Sequence, residues 1–389
     1  MKTAYGKLLM SLSAAFTLSA AAYSQTAEPI NIVTTSVPFL RVSPDARAGA
    51  MGDQGISTSP DANAQFYNVA KYPFIQNEWG VGAAYTPWLK DLGLKDVYLA
   101  SLAAHYKLDE QQVISGSLRY FNLGSIQFSD ALGNELNKGN PREFSLDFGY
   151  SRKLADKLSL GVALRYIYSN LASGSSSPYG GSSYKAGNAF AGDVGLYYTA
   201  ANNEGQGWNA GLVMSNLGSK ISYTSDARQK NFIPANVGIG SGYTWVTNEV
   251  HKISLNGEVN KLLVPGVPGA GADSADYAKY NSDGVVSGWM KSFSNNAMAY
   301  SVGAEYFYNE QFAFRAGYYT ESRSMGNRSY FTVGAGINYN IIGLNFSYLL
   351  ASGNGVNRNP LSNTVRIGLL FNIGGEESAA KQEKGSLSY

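Results

Sequence analysis

The sequence predicts an all-β protein, a 14-stranded antiparallel transmembrane β-barrel with an N-terminal hatch that plugs it. Segments of about ten residues alternate apolar with polar or small residues from residue 76 to residue 373. The gaps between these segments alternate between long and short. Glycine and tyrosine are abundant, at 44 and 28 residues, whereas only 15% of all residues are charged. Because strand side chains point alternately to opposite faces, this pattern suits a barrel with lipid outside and a polar lumen inside.

The first residues have the composition of an export signal. Lys2 and Lys7 precede a run of apolar and small residues, 8–22, and a cleavage site of the A-x-S type ends at residue 24. No later stretch reaches the roughly 18 apolar residues that a membrane helix needs. We therefore predict a signal peptide over residues 1–24, with a buried amino-terminal helix as the alternative. Export without a helical anchor leaves the periplasm, the cell exterior or the outer membrane, and the barrel pattern favours the bacterial outer membrane.

Residues 25–75 follow the predicted signal and lack the alternation of strands. An apolar patch, 37–42, leads into a stretch with closely spaced glycine and alanine, 46–55, and then into a stretch with closely spaced alanine, 61–70. Such a segment suits a compact coil in a confined space, and a barrel of about fourteen strands leaves a lumen that can hold it. We predict a hatch over residues 25–75 that lies at the periplasmic end and plugs the lumen. A flexible periplasmic tail is the alternative.

The barrel itself is predicted over residues 76–373. Short gaps follow the even-numbered strands, and mostly long gaps follow the odd-numbered strands. Outer-membrane barrels have short periplasmic turns and longer extracellular loops, so this parity places both ends of the barrel in the periplasm. The predicted strands are 77–86, 97–107, 112–123, 142–153, 157–170, 188–199, 207–217, 235–246, 251–262, 298–308, 311–320, 329–339, 341–351 and 364–373.

Residues 374–389 follow the last predicted strand and mix charged with small residues. We predict a periplasmic C-terminal tail for this stretch. The chain contains no cysteine, so the stability of the barrel has to come from its hydrogen-bonded strands and not from disulfides.

Most of the charged residues within the predicted strands share the inward-facing parity. An arginine or lysine at the middle of the bilayer costs about 2–4 kcal/mol, which keeps these residues off the lipid face. The inward-facing set that we single out contains five basic and five acidic residues. We expect the charges to pair with one another across the lumen, and a selectivity or ligand site is the alternative. This predicted lumen charge network consists of Arg119, Glu143, Asp147, Arg165, Asp193, Lys252, Glu258, Glu305, Arg315 and Arg366.

The sequence offers little for catalysis. His105 and His251 are the only histidines, and neither stands at a triad-like spacing from a serine and a carboxylate. A nucleophile elbow is missing, and two distant histidines without cysteine make a poor metal site. We expect no enzyme activity, no catalytic residue, no metal and no cofactor. The net charge of +2 gives no reason to expect nucleic-acid binding.

Two of the predicted outer loops carry apolar residues. Such residues are unusual in water unless they fold over the barrel mouth or meet a partner, and both possibilities are open at this point. The candidates for partner binding are Trp88, Leu89, Leu92 and Leu94 in the first loop, and Leu262, Leu263, Val264, Trp289, Met290 and Phe293 in the longest loop.

The predicted hatch resembles that of the FadL-like outer-membrane barrels, which are fourteen-stranded proteins with an N-terminal plug. Their pattern A-R-x-x-x-M-G, followed by D-x-x-A and N-P-A, is matched except that Val69 stands where proline is usual. The matching residues are Ala46, Arg47, Met51, Gly52, Asp61, Ala64, Asn68 and Ala70. The resemblance implies that Arg47, Met51, Gly52, Asp61 and Asn68 are hatch residues.

A more specific resemblance is to the PorV (LptO) family, the FadL-like component of the type IX secretion system. The stretches YTPWL (85–89), SLRYFNLG (117–124), NPREF (140–144) and LRYIYSNL (164–171) carry it. The resemblance implies an outer-membrane protein without chemistry of its own. Such a protein would bind secreted cargo through the C-terminal signal domain and shuttle it from the translocon to the surface attachment complex.

The same resemblance implies the partners. These are a SprA/Sov-like translocon barrel, cargo C-terminal signal domains, a PorU-like sortase attachment complex and membrane lipid. A FadL-like transporter of hydrophobic small molecules is the alternative function, although the inward-facing residues are mostly small or charged. A general porin is disfavoured by the predicted plug.

Overall fold

The structure is a computed structural model. It describes residues 32–89, 93–94, 96–129, 132–171, 184–224, 230–248, 250–269, 272–351 and 363–374. The predicted signal peptide, Leu92 and residues 375–389 of the predicted tail lie outside the described residues. Over the described ranges, no helix is both long enough and apolar enough to cross a membrane.

Fourteen antiparallel strands close into a barrel, so the predicted fold is confirmed. The ring closes because β1 pairs with both β2 and β16. Every barrel strand begins and ends within two residues of its predicted boundaries. These strands are β1 (Trp79–Pro87), β2 (Val97–Lys107), β3 (Gln112–Leu123), β6 (Arg142–Ala155), β7 (Leu158–Asn170), β8 (Gly187–Thr199), β9 (Gly207–Gly218), β10 (Asn236–Thr247), β11 (His251–Leu262), β12 (Met298–Tyr308), β13 (Phe312–Glu321), β14 (Ser329–Tyr339), β15 (Ile342–Ala351) and β16 (Val365–Ile373).

The connections divide the barrel into two ends. The end with the long connections is called the outer end, because outer-membrane barrels place such connections outside the cell. The other is called the inner end and has short connections, for example 108–111 and 156–157. One outer connection contains a separate hairpin that the sequence did not predict, formed by β4 (Ile126–Ser129) and β5 (Glu135–Gly139).

The strands expose one face and bury the other. Leu164, at the middle of β7, is 73% exposed, whereas its neighbours Ala163 and Arg165 are buried. Exposed aromatic residues lie near both strand ends, as in the girdles that flank the apolar band of outer-membrane barrels. They include Tyr85 and Tyr300 near the outer end, and Trp245, Tyr308 and Tyr339 near the inner end.

Besides the strands, helices occur in the longest outer connection, in the segment ahead of β1, and as a short 3₁₀ helix, Arg323–Met325, between β13 and β14. The longest outer connection, 263–297, contains the helices Ser274–Ser282 and Val285–Lys291 and a short 3₁₀ helix, Ser292–Ser294. The segment ahead of β1, residues 32–78, is called the hatch segment. It contains short helical turns at Pro38–Arg41, Ala46–Gly49, Ala62–Phe66 and Val69–Phe74.

The hatch segment runs through the lumen from the outer end to the inner end. The backbone N–H of Val33 donates to the carbonyl oxygen of Ser324, in an outer connection, at 2.8 Å. The N–H of Glu78 donates to the carbonyl oxygen of Gly374, which follows β16 at the inner end, at 3.3 Å. The prediction of a plug at the periplasmic end alone is therefore corrected. Burial of the apolar patch in the outer mouth draws the chain to that end.

Replacing Leu164 with arginine is expected to lower the free energy of unfolding by about 2–4 kcal/mol, because the charge would lie at the middle of the lipid face. The same change at Tyr339, beside the inner-end turn, is the control, and about 0–1 kcal/mol is expected there. Urea titration of the barrel refolded into lipid vesicles measures both losses. Equal losses at the two positions would contradict this assignment of the lipid face.

Candidate functional site

The hatch segment meets the barrel wall backbone to backbone. Gly52 has a φ of +75°, and a Cβ at this position would lie 2.7 Å from the carbonyl oxygen of Tyr318 on β13. A Cβ on the facing Gly317 would collide with the backbone of Met51 and Gly52. The N–H of Gly52 donates to Oγ1 of Thr332 on β14 at 2.9 Å. The Met51-Gly52 pair is therefore a contact point that leaves no room for a side chain.

Arg47 makes the central ionic contact between the hatch segment and the wall. Its Nε and Nη2 donate to the two carboxylate oxygens of Glu305 on β12, at 2.9 and 2.7 Å. Its Nη1 donates to Oδ2 of Asp61 at 2.8 Å. Glu305 also accepts from Nε of Arg315 on β13 at 2.7 Å. Burial opposes the ionisation of Asp61, but Arg47 and Lys71 together hold its pKa below the ordinary value.

Asp61 and Asn68 shape the second half of the hatch segment. Oδ1 of Asp61 accepts from the N–H of Asn63 at 2.9 Å, and Oδ1 of Asn68 accepts from the N–H of Ala70 at 3.1 Å. Each residue thereby caps the start of a 3₁₀ helix. Nδ2 of Asn68 also donates to the carbonyl oxygen of Leu196 on β8 at 3.0 Å. The structure thus brings these predicted hatch residues together inside the lumen.

The predicted lumen charges form separate groups and not one network. Arg165 bridges Asp147 and Asp193 on the neighbouring strands, with 2.9 Å between its Nη2 and Oδ2 of Asp193. Lys252 pairs with Glu310 at the inner end, where both side chains are partly exposed. The first group lies within the wall, and the second lies at its rim.

Other lumen charges contact the hatch segment. Nη2 of Arg366 lies 3.2 Å from Oδ1 of Asp53, and Nη1 of Arg119 donates to the carbonyl oxygen of Leu40 at 2.9 Å. Glu258 accepts two hatch N–H groups, from residues 55 and 56, at 2.9 Å each. The sequence predicted that these charges pair with one another across the lumen, and the three residues named here contact the hatch segment instead. The hatch main chain and its acids fill the space that would separate the opposite walls.

Lys71 is a buried cation that the sequence analysis missed, because no hatch motif contains it. It is 2% exposed, and its Nζ donates to the carbonyl oxygen of Gly55 at 2.8 Å and to Oγ1 of Thr58 at 3.1 Å. Burial lowers the pKa of Lys71 to about 8, against the attraction of Asp61. The residue therefore joins two parts of the hatch segment at an electrostatic cost.

Apolar side chains close the outer mouth of the lumen. Phe39 of the hatch segment stacks on Phe121 at 6.4 Å between ring centroids, and Trp88 meets Phe121 edge-on at 5.7 Å. Glu143 borders this cluster and accepts from Oγ of Ser169 at 2.6 Å. Four predicted partner-binding residues, one in this cluster and three elsewhere at the outer end, are 7% exposed or less and are not accessible to a partner: Trp88, Leu262, Leu263 and Val264. Leu89 packs against the same cluster, as burial removes apolar area from water.

Three apolar residues of the longest outer connection remain exposed, two on the helix Val285–Lys291 and one on the 3₁₀ helix that directly continues it. Val286, Met290 and Phe293 are 65%, 69% and 65% exposed, and their spacing of four and three residues places them on one side. Gly288 lies on the opposite side, where a Cβ would be 2.5 Å from the ring of Phe232. We call the first three residues the exposed loop face. Met290 and Phe293 were predicted as partner-binding residues, and Val286 was missed.

The remaining candidates lie apart from this face. Trp289 is half-buried on the same helix, and Leu94 is exposed on the first outer connection. His105 stacks on Tyr72 in the lumen at 5.1 Å, and Nδ1 of His251 lies 2.8 Å from the hydroxyl of a tyrosine at the inner end. Within the described ranges, no group of three or more histidine, aspartate or glutamate residues could hold a metal ion.

Comparison with known proteins gives a family and a fold. The family model "Type IX secretion system protein PorV" matches residues 24–269, which is more than half of the chain. No curated protein matches the chain.

Three solved structures show the fold alone, because their sequences are only distantly similar. The Ralstonia pickettii toluene transporter TbuX is 12% identical at a TM-score of 0.52, over 85% of this chain and 98% of that chain. The CymD monoaromatic hydrocarbon channel is 12% identical at 0.53, over 88% and 99%. The Pseudomonas putida toluene transporter TodX is 14% identical at 0.50, over 83% and 95%.

Replacing Arg47 with methionine is expected to weaken docking of the hatch segment by about 3–5 kcal/mol, because Asp61 and Glu305 would lose a buried cation. A loosened hatch admits ions, so channel conductance in planar lipid bilayers measures the effect. Arg47→Lys keeps the charge but not the two-pronged geometry, and an intermediate conductance is expected. Arg323→Met, at an exposed outer position, is the control. A fully closed Arg47→Met barrel would refute the anchoring role.

Hatch docking is expected to strengthen as the pH rises from about 8 to about 10. The docked state depresses the pKa of Lys71 to about 8, so the undocked state binds more protons across this window. Stability therefore rises with pH, by at most about 1.4 kcal/mol per unit, and is independent of Lys71 below the window. Conductance should fall over this range in the native barrel and stay flat in Lys71→Met. The same slope in both proteins would exclude Lys71 as the cause.

Proposed function

The chain belongs to the PorV family of the type IX secretion system, and from this membership we propose that it binds secreted cargo through the cargo's C-terminal signal domain and shuttles it from the translocon to the surface attachment complex. It is an outer-membrane β-barrel of FadL-like fold. Under the proposal its partners are a SprA/Sov-like translocon barrel and a PorU-like sortase attachment complex. It binds and releases, and it performs no chemical step.

The exposed loop face is the observation that carries the proposal. Three large apolar side chains stand in water at the outer end, on the side of their helix that faces away from Phe232. Clustered exposed apolar residues of this kind are typical of interaction sites. Burying each one fully would contribute about 1.5–3 kcal/mol, and a helix presents them with little loss of entropy on binding. The face therefore suits an apolar patch on a folded signal domain.

The filled lumen also supports binding at the outer end. Arg47, Asp53 and Gly52 hold the hatch segment against three different strands of the wall. A passage through the lumen would require these contacts to break together. A protein that acts through its outer connections has no such requirement.

Transport of hydrophobic small molecules is the second candidate function. TbuX and TodX are toluene transporters by name, and one feature of this chain favours a similar function. An apolar cluster that includes Phe121 and Ile167 lies under the outer mouth. In this structure Val37, Phe39 and Leu40 of the hatch segment belong to that cluster, so transport would require the hatch to withdraw.

The double variant Met290→Ser, Phe293→Ser is expected to reduce the affinity for signal-bearing cargo at least tenfold, about 1.4 kcal/mol, because two apolar contacts are removed. Copurification of cargo with the tagged barrel in mild detergent measures the loss. Leu154→Ser, an exposed apolar residue at the inner end, is the matched control and should bind normally.

Deletion of the whole protein separates the two candidate functions. The proposed function expects signal-bearing precursors to accumulate in the periplasm. Normal secretion together with impaired uptake of toluene would overturn it in favour of transport.

A further inference from the structure

We propose that the amino-terminal residues 32–36 position the exposed loop face, so that the hatch segment and the cargo surface form one mechanical unit. The consequence for cargo rests on the proposed function, whereas the physical link between the two parts can be tested without cargo. We call residues 32–36 the clasp. The clasp has no regular secondary structure and contacts outer connections before the chain enters the lumen.

The clasp hydrogen-bonds two separate outer connections. The N–H of Val33 donates to the carbonyl oxygen of Ser324 at 2.8 Å, in the connection between β13 and β14. The N–H of Ser36 donates to the carbonyl oxygen of Phe232 at 3.0 Å, in the connection between β9 and β10. The clasp thereby links the two connections by backbone hydrogen bonds.

The side chain of Val33 also packs against both ends of the longest outer connection, 263–297. It is 4% exposed and belongs to an apolar cluster contributed by several outer elements. Leu262 ends β11 and Ala297 precedes β12, so the cluster holds both points at which the connection 263–297 leaves the barrel. The other members are Phe232, Val264, Ala299 and Met325.

Phe232 connects the clasp to the helix that carries the exposed loop face. Both helices of the longest connection rest on its ring: Tyr280 contacts it edge-on at 5.7 Å, and Gly288 packs against it so closely that no side chain fits between. Lys220 lies over the ring at 3.9 Å, and its Nζ donates to the carbonyl oxygen of Asn281 at 3.2 Å. The contacts therefore run from Ser36 through Phe232 to Gly288, directly opposite Met290.

The arrangement has two consequences for binding. A helix that is already held in place loses little entropy when cargo binds, so the clasp should raise the affinity by preorganisation. The coupling is also reciprocal, so cargo on the exposed loop face should stabilise the clasp and the hatch segment below it. Cargo binding would then keep the lumen closed while the outer connections are occupied.

The clasp supplies its own matched control. Val33 is buried, whereas the next residue, Thr34, is exposed. Aspartate at position 33 would place a charge in the apolar cluster, and aspartate at position 34 would place it in water. Val33→Ile keeps an apolar side chain in the cluster and serves as the conservative variant.

The mechanical link can be measured by thiol labelling, since the chain has no cysteine of its own. A single cysteine at the buried position Ala297→Cys should react slowly with a membrane-impermeant maleimide in the native, Thr34→Asp and Val33→Ile backgrounds. In the Val33→Asp background we expect labelling at least tenfold faster, in a barrel that still shows the heat-modifiable migration of folded barrels. Unchanged labelling would overturn the proposal.

Cargo copurification completes the test and separates it from the proposed function. Val33→Asp should lose cargo and Thr34→Asp should keep it. Faster labelling with undiminished cargo binding would overturn the positioning role and leave the proposed function standing. Normal cargo binding by Met290→Ser, Phe293→Ser would instead remove the proposed cargo surface, while the labelling result still decides the mechanical link.

A second variant covers the case in which Val33→Asp does not fold. Gly288→Ala changes only the outer connection, and its Cβ would lie 2.5 Å from the ring of Phe232, so the helix and the ring have to shift relative to each other. It should also reduce cargo binding at least tenfold with an intact barrel. Full cargo binding by Gly288→Ala would count against the proposal.

Discussion

The main chain of the hatch segment lies directly against the inner wall of the barrel, and the rest of the structure depends on this contact. A Cβ at Gly161 would stand 2.5 Å from the backbone nitrogen of Ala70, and Gly211 and Gly317 face the hatch equally closely. The inward-facing residues are therefore small because the hatch segment packs against them, and they do not line an open channel. Since water is excluded there, the polar groups of each part have to be satisfied by the other.

The buried charges follow from the same constraint. Desolvation offsets much of the attraction within a buried pair, yet removing one partner leaves an uncompensated charge at considerable cost. The Arg47–Glu305 and Arg366–Asp53 pairs therefore act mainly by making every other position of the hatch segment unfavourable. Lys71 shows the opposite balance, because burial disfavours its charged form by more than the neighbouring acidic groups favour it.

The hatch segment also changes which surface of the protein is available for function. It fills the lumen, its apolar patch closes the outer mouth, and its first residues join the outer connections to one another. Among the described residues of the outer end, Val286, Met290 and Phe293 remain exposed on the side that faces away from Phe232. The same packed hatch segment therefore closes the lumen and holds the outer connection that presents the exposed loop face.

The sequence by itself determined the number, boundaries and faces of the strands. The alternation of side chains along a strand is a local pattern with a period of two residues, and a charge on the lipid face is energetically unfavourable. It also identified Arg47, Gly52 and Asn68 as hatch residues, through a resemblance. Only the tertiary structure decided the direction of the hatch, the partner of each lumen charge, and the burial of Trp88 and Leu262 beside the exposure of Met290. These outcomes depend on contacts between residues far apart in the chain, such as Arg47 and Glu305, which are 258 positions apart. No local pattern encodes which distant groups will meet once the strands close and the lumen is filled.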